Sequence, residues 1–254
     1  MEIDIPAKGT YYLKITMSNY SESDAELSII AYSFSAEDKV LKNNTWVGSY
    51  PLSYNQQIYH KITIAKSGYI KVEANSLEEY NSLYATLCNS KKTSLTESTY
   101  LSSSQDYTTH FAVKKGTYYI AIKASNPYKL KYKFTAITDK GASAKGKATS
   151  IKKGQTVKGL IFAEDSTSKY DWFKVKLTKK QELKLDLVAY GNYSLKFQII
   201  PANSRVIIWG DTMTLYEKDS KSFYSSDKFP AGTYYIKVSK SQKKSSGYYT
   251  IKFK

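Results

Sequence analysis

Apolar and polar residues alternate along much of this chain, a pattern that predicts β-strands with one buried face. In the clearest region the residues predicted to face the core are Phe173, Val175, Leu177, Leu183, Leu185 and Leu187. Lys174, Lys176 and Lys184 lie between them and are predicted to face water. Apolar residues three and four apart, the helical pattern, are scarce. We therefore expect an all-β protein.

Three segments share the sequence Gly-Thr-Tyr-Tyr, beginning at Gly9, Gly116 and Gly232. A polar turn and a second alternating stretch follow each of them, which predicts a β-hairpin. Alternation places the first tyrosine of each pair in the core and the second on the outer face. The inward tyrosines are Tyr11, Tyr118 and Tyr234, and the outward ones are Tyr12, Tyr119 and Tyr235.

The three segments lie about 110 residues apart, the length of a domain. We therefore predict copies of one unit: the second half of a copy at 1–38, a β-sandwich at 41–138, and another at 145–254, with a polar linker at 138–147. Because the first copy lacks its upstream strands, we expect the chain to derive from a longer array. Residues 3–34 should pair with an edge of the second copy or with another chain.

The charge of the chain is positive and unevenly distributed. It holds 38 basic and 22 acidic residues, a net charge of +16, and Arg205 is the single arginine. Residues 141–254 contain 22 of the basic residues and nine of the acidic ones. Lysine attracts polyanions without the bidentate geometry by which arginine recognises bases and phosphates. The composition therefore favours diffuse attraction to anionic polymers over recognition of nucleic acid.

Membrane and disulfide signals are weak in this sequence. No apolar run approaches the roughly 18 residues that predict a membrane span. Residues 1–5 lack the basic start and apolar core of a secretory signal, so an exported protein would contain this chain as its mature part. Cys88 is the only cysteine, which excludes an internal disulfide framework.

The third copy ends in two distinctive strands, Phe229–Val238 with Pro-Ala-Gly-Thr-Tyr-Tyr and Ser246–Phe253 with Ser-Gly-Tyr-Tyr-Thr. It also carries Asp171-Trp172-Phe173 at a strand start, preceded by a strand-like stretch from Lys158. These residues resemble the bacterial pre-peptidase C-terminal (PPC) domain family. The second copy departs from the family pattern, with Ile58-Tyr59-His60 in place of Asp-Trp-Phe.

This resemblance implies tandem jelly-roll-like antiparallel β-sandwiches of about eight strands each. It implies an accessory module of secreted enzymes or surface proteins, without catalytic residues of its own. Relatives in collagenases bind collagen and calcium, and others serve as carbohydrate-associated or secretion-linked spacers.

Residues suited to catalysis are few. His60 falls on the core side of an alternating stretch, and His110 precedes Phe111 at the start of another strand. We interpret both as structural histidines and Cys88 as a small strand residue. Because no nucleophile, metalloprotease or phosphate-loop motif occurs, we expect no enzymatic activity.

Carboxylates gather around one loop of the third copy. Glu164, Asp165 and Asp171 are the candidate metal ligands, because calcium prefers several oxygen ligands and closely spaced carboxylates supply them. The alternative is a solvated turn whose acids balance nearby lysines. The EF-hand spacing is absent.

Outward aromatic rings and lysines are the candidate ligand contacts, because rigid aromatic faces bind sugars and proteins at low entropic cost. The aromatic candidates are Tyr119, Tyr235, Tyr248 and Trp209, and Trp209 is open to a second interpretation as the end of a buried strand. Lys174, Lys176 and Lys184 are the basic candidates. If these lysines share one face they form a patch, and if they divide between two sheets they serve solubility.

The sequence therefore predicts a non-catalytic accessory or adhesion module of a bacterial secreted or cell-surface protein. Its expected partners are an extracellular polysaccharide, an anionic cell-wall polymer or a matrix protein. A structural spacer between domains and a carbohydrate-binding module are the alternatives.

Overall fold

The computed structural model describes residues 38–254 except for residues 52, 54–55, 77–81, 103–107 and 216–217. The described residues belong to one compact unit. The predicted half-copy at 1–38 and the expected pairing of residues 3–34 fall outside the described residues, apart from residue 38.

Strands dominate the described part of the chain. The first eight are β1 (Val47–Ser49), β2 (Gln57–Ile64), β3 (Gly68–Ser76), β4 (Ser82–Cys88), β5 (Thr99–Ser102), β6 (Thr108–Val113), β7 (Gly116–Lys123) and β8 (Tyr128–Ala136). A short 3-10 turn at Lys145–Lys147 follows. The next eight are β9 (Thr149–Ser150), β10 (Thr156–Ile161), β11 (Tyr170–Leu177), β12 (Lys184–Pro201), β13 (Trp209–Leu215), β14 (Lys218–Tyr224), β15 (Gly232–Lys240) and β16 (Ser246–Phe253).

Strands β1 to β8 form two four-stranded antiparallel sheets, ordered β1-β8-β3-β6 and β2-β7-β4-β5. Alternate residues of each strand point into the space between the sheets, where Ile62, Ile70, Phe111 and Ile120 are buried. The predicted inward positions of His60 and Tyr118 are confirmed, since both side chains are buried. This pair of sheets is the first sandwich.

Strands β9 to β16 form the second sandwich, in which β12 belongs to both sheets. Its first half pairs with β14 and β16, and its second half pairs with β13 and β15. The strand passes from one sheet to the other at Gly191–Tyr193, where Tyr193 has a φ of 69°. At Gly191 a Cβ would lie 2.3 Å from the carbonyl oxygen of Ser246, so this close approach requires glycine. Strand β11 joins the second sheet beside β15.

The predicted all-β fold of jelly-roll-like antiparallel sandwiches is confirmed. All six predicted core residues between Phe173 and Leu187 are buried. The order β10-β16-β12-β14 follows that of β1-β8-β3-β6, and β11-β15-β12-β13 follows that of β2-β7-β4-β5. The repetition of one unit and the boundaries 41–138 and 145–254 stay predictions.

The predicted Gly-Thr-Tyr-Tyr hairpins at Gly116 and Gly232 are wrong, and the one at Gly9 lies outside the described residues. Strand β7 pairs with β2 and β4, whereas β8 pairs with β1 and β3 in the facing sheet. Strands β15 and β16 divide between the two sheets of the second sandwich in the same way. Strands β7 and β8 each bury one face, and the two buried faces lie opposite each other across the core. The same holds for β15 and β16. In each pair the connection is therefore an arch over the sandwich.

The two sandwiches meet at β6, whose six residues are all buried. Ser246 of β16 accepts a hydrogen bond from the Ala112 amide at 2.9 Å and donates one to the Ala112 carbonyl at 3.3 Å. The Ala163 amide also donates to the Ala112 carbonyl, at 3.0 Å. A small cluster that contains Leu160 and Phe162 packs at the same place. We call this region the junction.

Candidate functional site

The outer face of β11 and β15 combines aromatic rings with lysines. Alternation places Tyr170, Trp172, Lys174 and Lys176 on the side of β11 that faces away from the core. Strand β15 contributes Tyr235 and Lys237, which lie opposite Lys174 and Trp172 respectively. Lys145, in the 3-10 turn, reaches the same surface. We call these seven residues the aromatic–lysine face.

Cation–π contacts organise the aromatic–lysine face. The Lys237 Nζ lies 3.6 Å from the centre of the Tyr170 ring and 5.8 Å from that of Trp172. The Lys145 Nζ lies 4.8 Å from the Tyr235 ring centre. Trp172 packs edge-on against Tyr170 and Tyr235, with ring centres 6.5 and 6.3 Å apart. The rings therefore form a continuous group between the ammonium groups.

The lysines of this face have no carboxylate partner among the residues that the structure describes. The ion pairs of that part of the chain involve other lysines. Burial of Lys237 and the charge of Lys196 on β12 hold the pKa of the Lys237 ammonium below its usual value. An anion bound beside Lys237 would relieve this repulsion. The geometry therefore suits a ligand that carries negative charges and an apolar surface.

Lys184 does not share this surface with Lys174 and Lys176, so the second of the two alternatives for these lysines, a division between two sheets, is the one observed. Strand β11 pairs with β15 and β9, and Lys184 lies opposite Tyr224 in the other sheet. Lys184 forms an ion pair with Glu182 at 2.6 Å. The neighbouring Lys254 lies 2.8 Å from Asp186. The predicted lysines therefore divide between two faces.

Tyr119 faces outward as predicted, on the outer face of the β2-β7-β4-β5 sheet. Its ring centre lies 6.2 Å from that of Tyr59 in an edge-on contact. The Lys92 Nζ lies 4.7 Å from the Tyr59 ring centre and 5.4 Å from that of Tyr119. Asp38 accepts a hydrogen bond from Lys92 and thereby holds this ammonium in place. These two rings already have a cation beside them.

The predicted outward position of Tyr248 is wrong because its side chain is buried, whereas Trp209 is partly buried and its role as a ligand contact stays a prediction. Tyr248 is 9% exposed and stacks between Tyr69, with ring centres 4.9 Å apart, and Tyr190, at 5.9 Å. It belongs to the junction. Trp209 packs against the second core, and its ring centre lies 4.9 Å from that of Phe223.

The carboxylates of the candidate metal ligands accept hydrogen bonds from other side chains of the protein. Asp165 accepts hydrogen bonds from Lys114 at 2.8 Å and Lys169 at 3.0 Å, and Tyr118 donates to Glu164. Asp171 lies inside the second sandwich and accepts from the Tyr249 hydroxyl at 2.6 Å. Within the described ranges, no group of three potential ligands has the geometry to hold a metal ion. The calcium site stays a prediction.

The potentially reactive side chains are enclosed. His60 Nε2 lies 2.9 Å from the Tyr128 hydroxyl, and His110 packs against Tyr69 and Tyr190. Burial lowers the pKa of both histidines to about 4. Burial raises the pKa of the Cys88 thiol to about 11. These groups contribute to packing in the described part of the chain.

Several residues of the aromatic–lysine face were not among the predicted site residues. Tyr170 and Trp172 precede Lys174 and Lys176 at alternate positions of one strand, so the period of two was a usable signal. Lys145 lies far from β15 in sequence, and no local pattern connects it with Tyr235.

Comparisons with known proteins give distant likenesses. No protein-family model matches the chain, and no curated protein shows significant similarity to it. The chain is similar to the solved pre-peptidase C-terminal domain of collagenase from Bacillus anthracis, with 16% identity and a TM-score of 0.32, over 42% of this chain and 95% of that one.

The chain is also similar, at a lower level, to two further solved structures. Tripeptidyl peptidase 2 has 11% identity and a TM-score of 0.27, over 85% of this chain and 24% of that one. The extracellular domain of ANXUR2 from Arabidopsis thaliana has 8% identity and a TM-score of 0.24, over 84% and 90% of the two chains. All these TM-scores are below 0.5, so none supports a conclusion about function. In the described residues, no helix is long and apolar enough to cross a membrane.

Proposed function

We propose that this chain is a non-catalytic accessory module of a bacterial secreted or cell-surface protein, and that it binds an anionic extracellular polymer through the aromatic–lysine face. The resemblance of Asp171–Phe173 and Phe229–Phe253 to the PPC family supports the class of module. The concentration of unpaired lysines beside three aromatic rings supports the ligand class. The electrostatic attraction between these lysines and a polyanion is long-ranged and is screened by salt.

The ligand that fits this face carries repeated carboxylate, phosphate or sulfate groups. Its charges would pair with Lys174, Lys176 and Lys237, while its carbon skeleton would lie on Trp172 and Tyr235. Teichoic acids and acidic or sulfated glycans have this combination of groups. The absence of a catalytic role is supported by the enclosure of the histidines and by the raised pKa of the Cys88 thiol.

Binding to immobilised teichoic acid and to a sulfated glycan, measured at increasing ionic strength, tests the proposal. The triple variant Lys174→Glu, Lys176→Glu, Lys237→Glu should weaken binding by at least about tenfold, which corresponds to about 1.4 kcal/mol. Lys184→Glu on the other sheet is the matched control for the single variant Lys174→Glu, because both change the net charge by the same amount. Binding that is independent of salt, or equal effects of the two single variants, would contradict this assignment.

The junction favours a second candidate function, that of a spacer. The Ala112 amide donates a hydrogen bond to the Ser246 hydroxyl, and the Tyr69 and Tyr248 rings stack. These contacts join the two sandwiches. A spacer requires such a fixed connection but needs no ligand. If neither polymer binds at low salt, the spacer is the better account.

A further inference from the structure

Two tyrosines stand exposed together on the outer face of the first sandwich, away from the aromatic–lysine face. Tyr84 on β4 and Tyr100 on β5 lie directly opposite each other across the strand pair. Their ring centres are 5.2 Å apart, with an angle of 56° between the rings. Tyr84 is 36% exposed and Tyr100 is 49% exposed. Adjacent aromatic rings that remain in water mark a surface suited to a ligand.

A shallow depression of about 310 Å³ adjoins Tyr84 of this pair. Its lining consists of Ser82, Tyr84, Ser98, Lys123, Ala124 and Ser125. The depression thus offers one aromatic ring, three hydroxyl groups and one ammonium within a small volume. Its size lies at the small end of the range for ligand pockets, which suits a single ring-sized group.

The register of the sheet aligns this site with residues of the neighbouring strands. Gln57 lies opposite Lys123, Lys123 opposite Tyr84, and Tyr84 opposite Tyr100. These four residues cross the sheet perpendicular to the strands, over three strand spacings or about 14 Å. A chain of linked rings could therefore contact the sheet across its width, with the depression receiving one ring.

The Tyr84–Tyr100 pair differs from the Tyr59–Tyr119 pair on the same sheet face. Lys92 lies beside both rings of the latter pair and is held there by Asp38. About half of the Tyr100 side chain, in contrast, is open to solvent. The position for an external ring is therefore at Tyr84 and Tyr100.

We propose that Tyr84, Tyr100 and the adjoining depression form a binding site for a pyranose unit of a glycan. A pyranose presents an apolar C–H face, which packs on an aromatic ring, and hydroxyl groups at its edge. The Ser82 and Ser98 hydroxyls supply hydrogen-bonding groups at the edge of the depression that would receive this ring. This site lies on a different sandwich from the aromatic–lysine face and does not depend on the proposed function.

The proposal is tested with the full chain and a glycan array of cello-, xylo-, manno-, galacto- and chito-oligosaccharides, followed by calorimetric titration of those that bind. At least one should bind saturably, with little dependence on salt. The double variant Tyr84→Ala, Tyr100→Ala should lose at least about tenfold in affinity, and Tyr84→Phe, Tyr100→Phe should retain most of it, because ring contact dominates. Tyr224→Ala, at another exposed tyrosine, should have no effect.

The single variant Tyr100→Ala is a second test with a smaller structural change, because Tyr100 lies on the edge strand β5. Circular dichroism checks that each variant is folded. Failure of every oligosaccharide to bind at millimolar concentration would overturn the proposal. Binding that Tyr84→Ala, Tyr100→Ala leaves intact, or that is lost in the triple lysine variant, would also overturn it. Selective binding of a collagen peptide at this pair, with no sugar bound, would assign the surface to a protein ligand. Apart from loss of binding in the triple lysine variant, which would assign the glycan to β11 and β15, these results are independent of the salt-dependent binding assigned to those strands.

Discussion

Asp171 shows how a single residue is adapted to a buried position. It precedes Phe173 on the core side of β11, and its carboxylate accepts a hydrogen bond from Tyr249. Gly141 packs on it so closely that a Cβ there would lie 2.2 Å from the Asp171 Cγ. Burial, and then the nearby charge of Asp139, raise the pKa of Asp171 to about 7. The carboxyl group therefore changes its protonation near neutral pH.

Tyr249→Phe tests the contribution of this hydrogen bond. Loss of the hydroxyl leaves the buried Asp171 carboxylate without that donor, so the free energy of unfolding should fall by about 1–3 kcal/mol at pH 8. The loss should be smaller at pH 5.5, where the carboxyl group is protonated and the bond is no longer charge-assisted. Urea unfolding at the two pH values measures the effect. Tyr224→Phe, at an exposed ring, is the control, and equal losses for both variants would contradict this account.

The buried histidines predict a loss of stability in acid. In the folded state the pKa of His60 and His110 is about 4, against an ordinary value of 6.5. The unfolded chain therefore binds protons first as the pH falls from 6.5 to 4, which favours unfolding. At about 1.4 kcal/mol per pKa unit, each histidine contributes at most about 3.5 kcal/mol. Asp171 acts in the opposite direction, because its raised pKa makes the folded state bind a proton earlier.

Unfolding free energies between pH 7 and pH 4 distinguish these opposing contributions. Asp171→Asn should steepen the acid-induced loss, because it removes the group that gains a proton in the folded state. His110→Gln should make the loss shallower. If both variants change the slope in the same direction, one of the two assignments is wrong.

Strand β6 illustrates the protection of a sheet edge. It is the terminal strand of the β1-β8-β3-β6 sheet, and such edges present unpaired backbone groups. Strands β12 and β16 of the second sandwich cover it. The Ser246 hydroxyl satisfies both the amide and the carbonyl of Ala112. A side chain thus takes the place of a further strand.

Ser246→Ala should expose this edge. The buried Ala112 amide would lose its acceptor, at a cost of about 1–3 kcal/mol. Hydrogen exchange at the Ala112 amide should accelerate more than exchange at the Ile120 amide, which is bonded within a central strand. Ser226→Ala, on an exposed loop, is the control. Unchanged exchange at Ala112 would show that the hydroxyl contributes little to the protection of β6.

Alternation predicted the faces of the strands but not their partners. The inward positions of Phe173, Leu185 and Tyr234 are confirmed, because a period of two determines which side of a strand is apolar. The same pattern is satisfied whether two successive strands pair or face each other across a core. The connections β7–β8 and β15–β16 were therefore predicted as hairpins, although they cross between sheets.

The candidate site was predictable only in part, for a related reason. Tyr235, Lys174 and Lys176 were assigned to an outer face, and the structure brings them together on β11 and β15. Lys184 has the same local pattern but lies on the other sheet. The pairing of Tyr84 with Tyr100 depends on the register of β4 and β5, which no periodicity determines.

At the scale of the whole molecule, the charge of +16 is arranged by face. On the β10-β16-β12-β14 sheet, Lys184 and Lys254 are paired with Glu182 and Asp186. The aromatic–lysine face has no such pairs among the described residues. Net charge alone would suggest a general solubilising role. On the aromatic–lysine face, the lysines without a carboxylate partner lie beside the rings on β11 and β15.

The junction contains several contacts between the two sandwiches that would couple their unfolding. The stacked rings of Tyr69 and Tyr248, the buried Phe162 and the Lys114–Asp165 ion pair all connect them. When an interface is extensive enough to stabilise both partners, the loss of one sandwich exposes apolar surface on the other. We therefore expect a single calorimetric unfolding transition in the intact chain.

The double variant Tyr69→Ala, Phe162→Ala should divide this transition into two. Tyr69 lies on the outer side of its own sheet, and Phe162 belongs to the junction cluster, so both substitutions weaken the connection more than either core. The less stable sandwich should then melt first, and the summed enthalpy should fall only slightly. Tyr224→Ala, far from the junction cluster, should keep one transition. Two transitions in the unmodified chain, or one uniformly shifted transition in the double variant, would show that the sandwiches are not coupled through this interface.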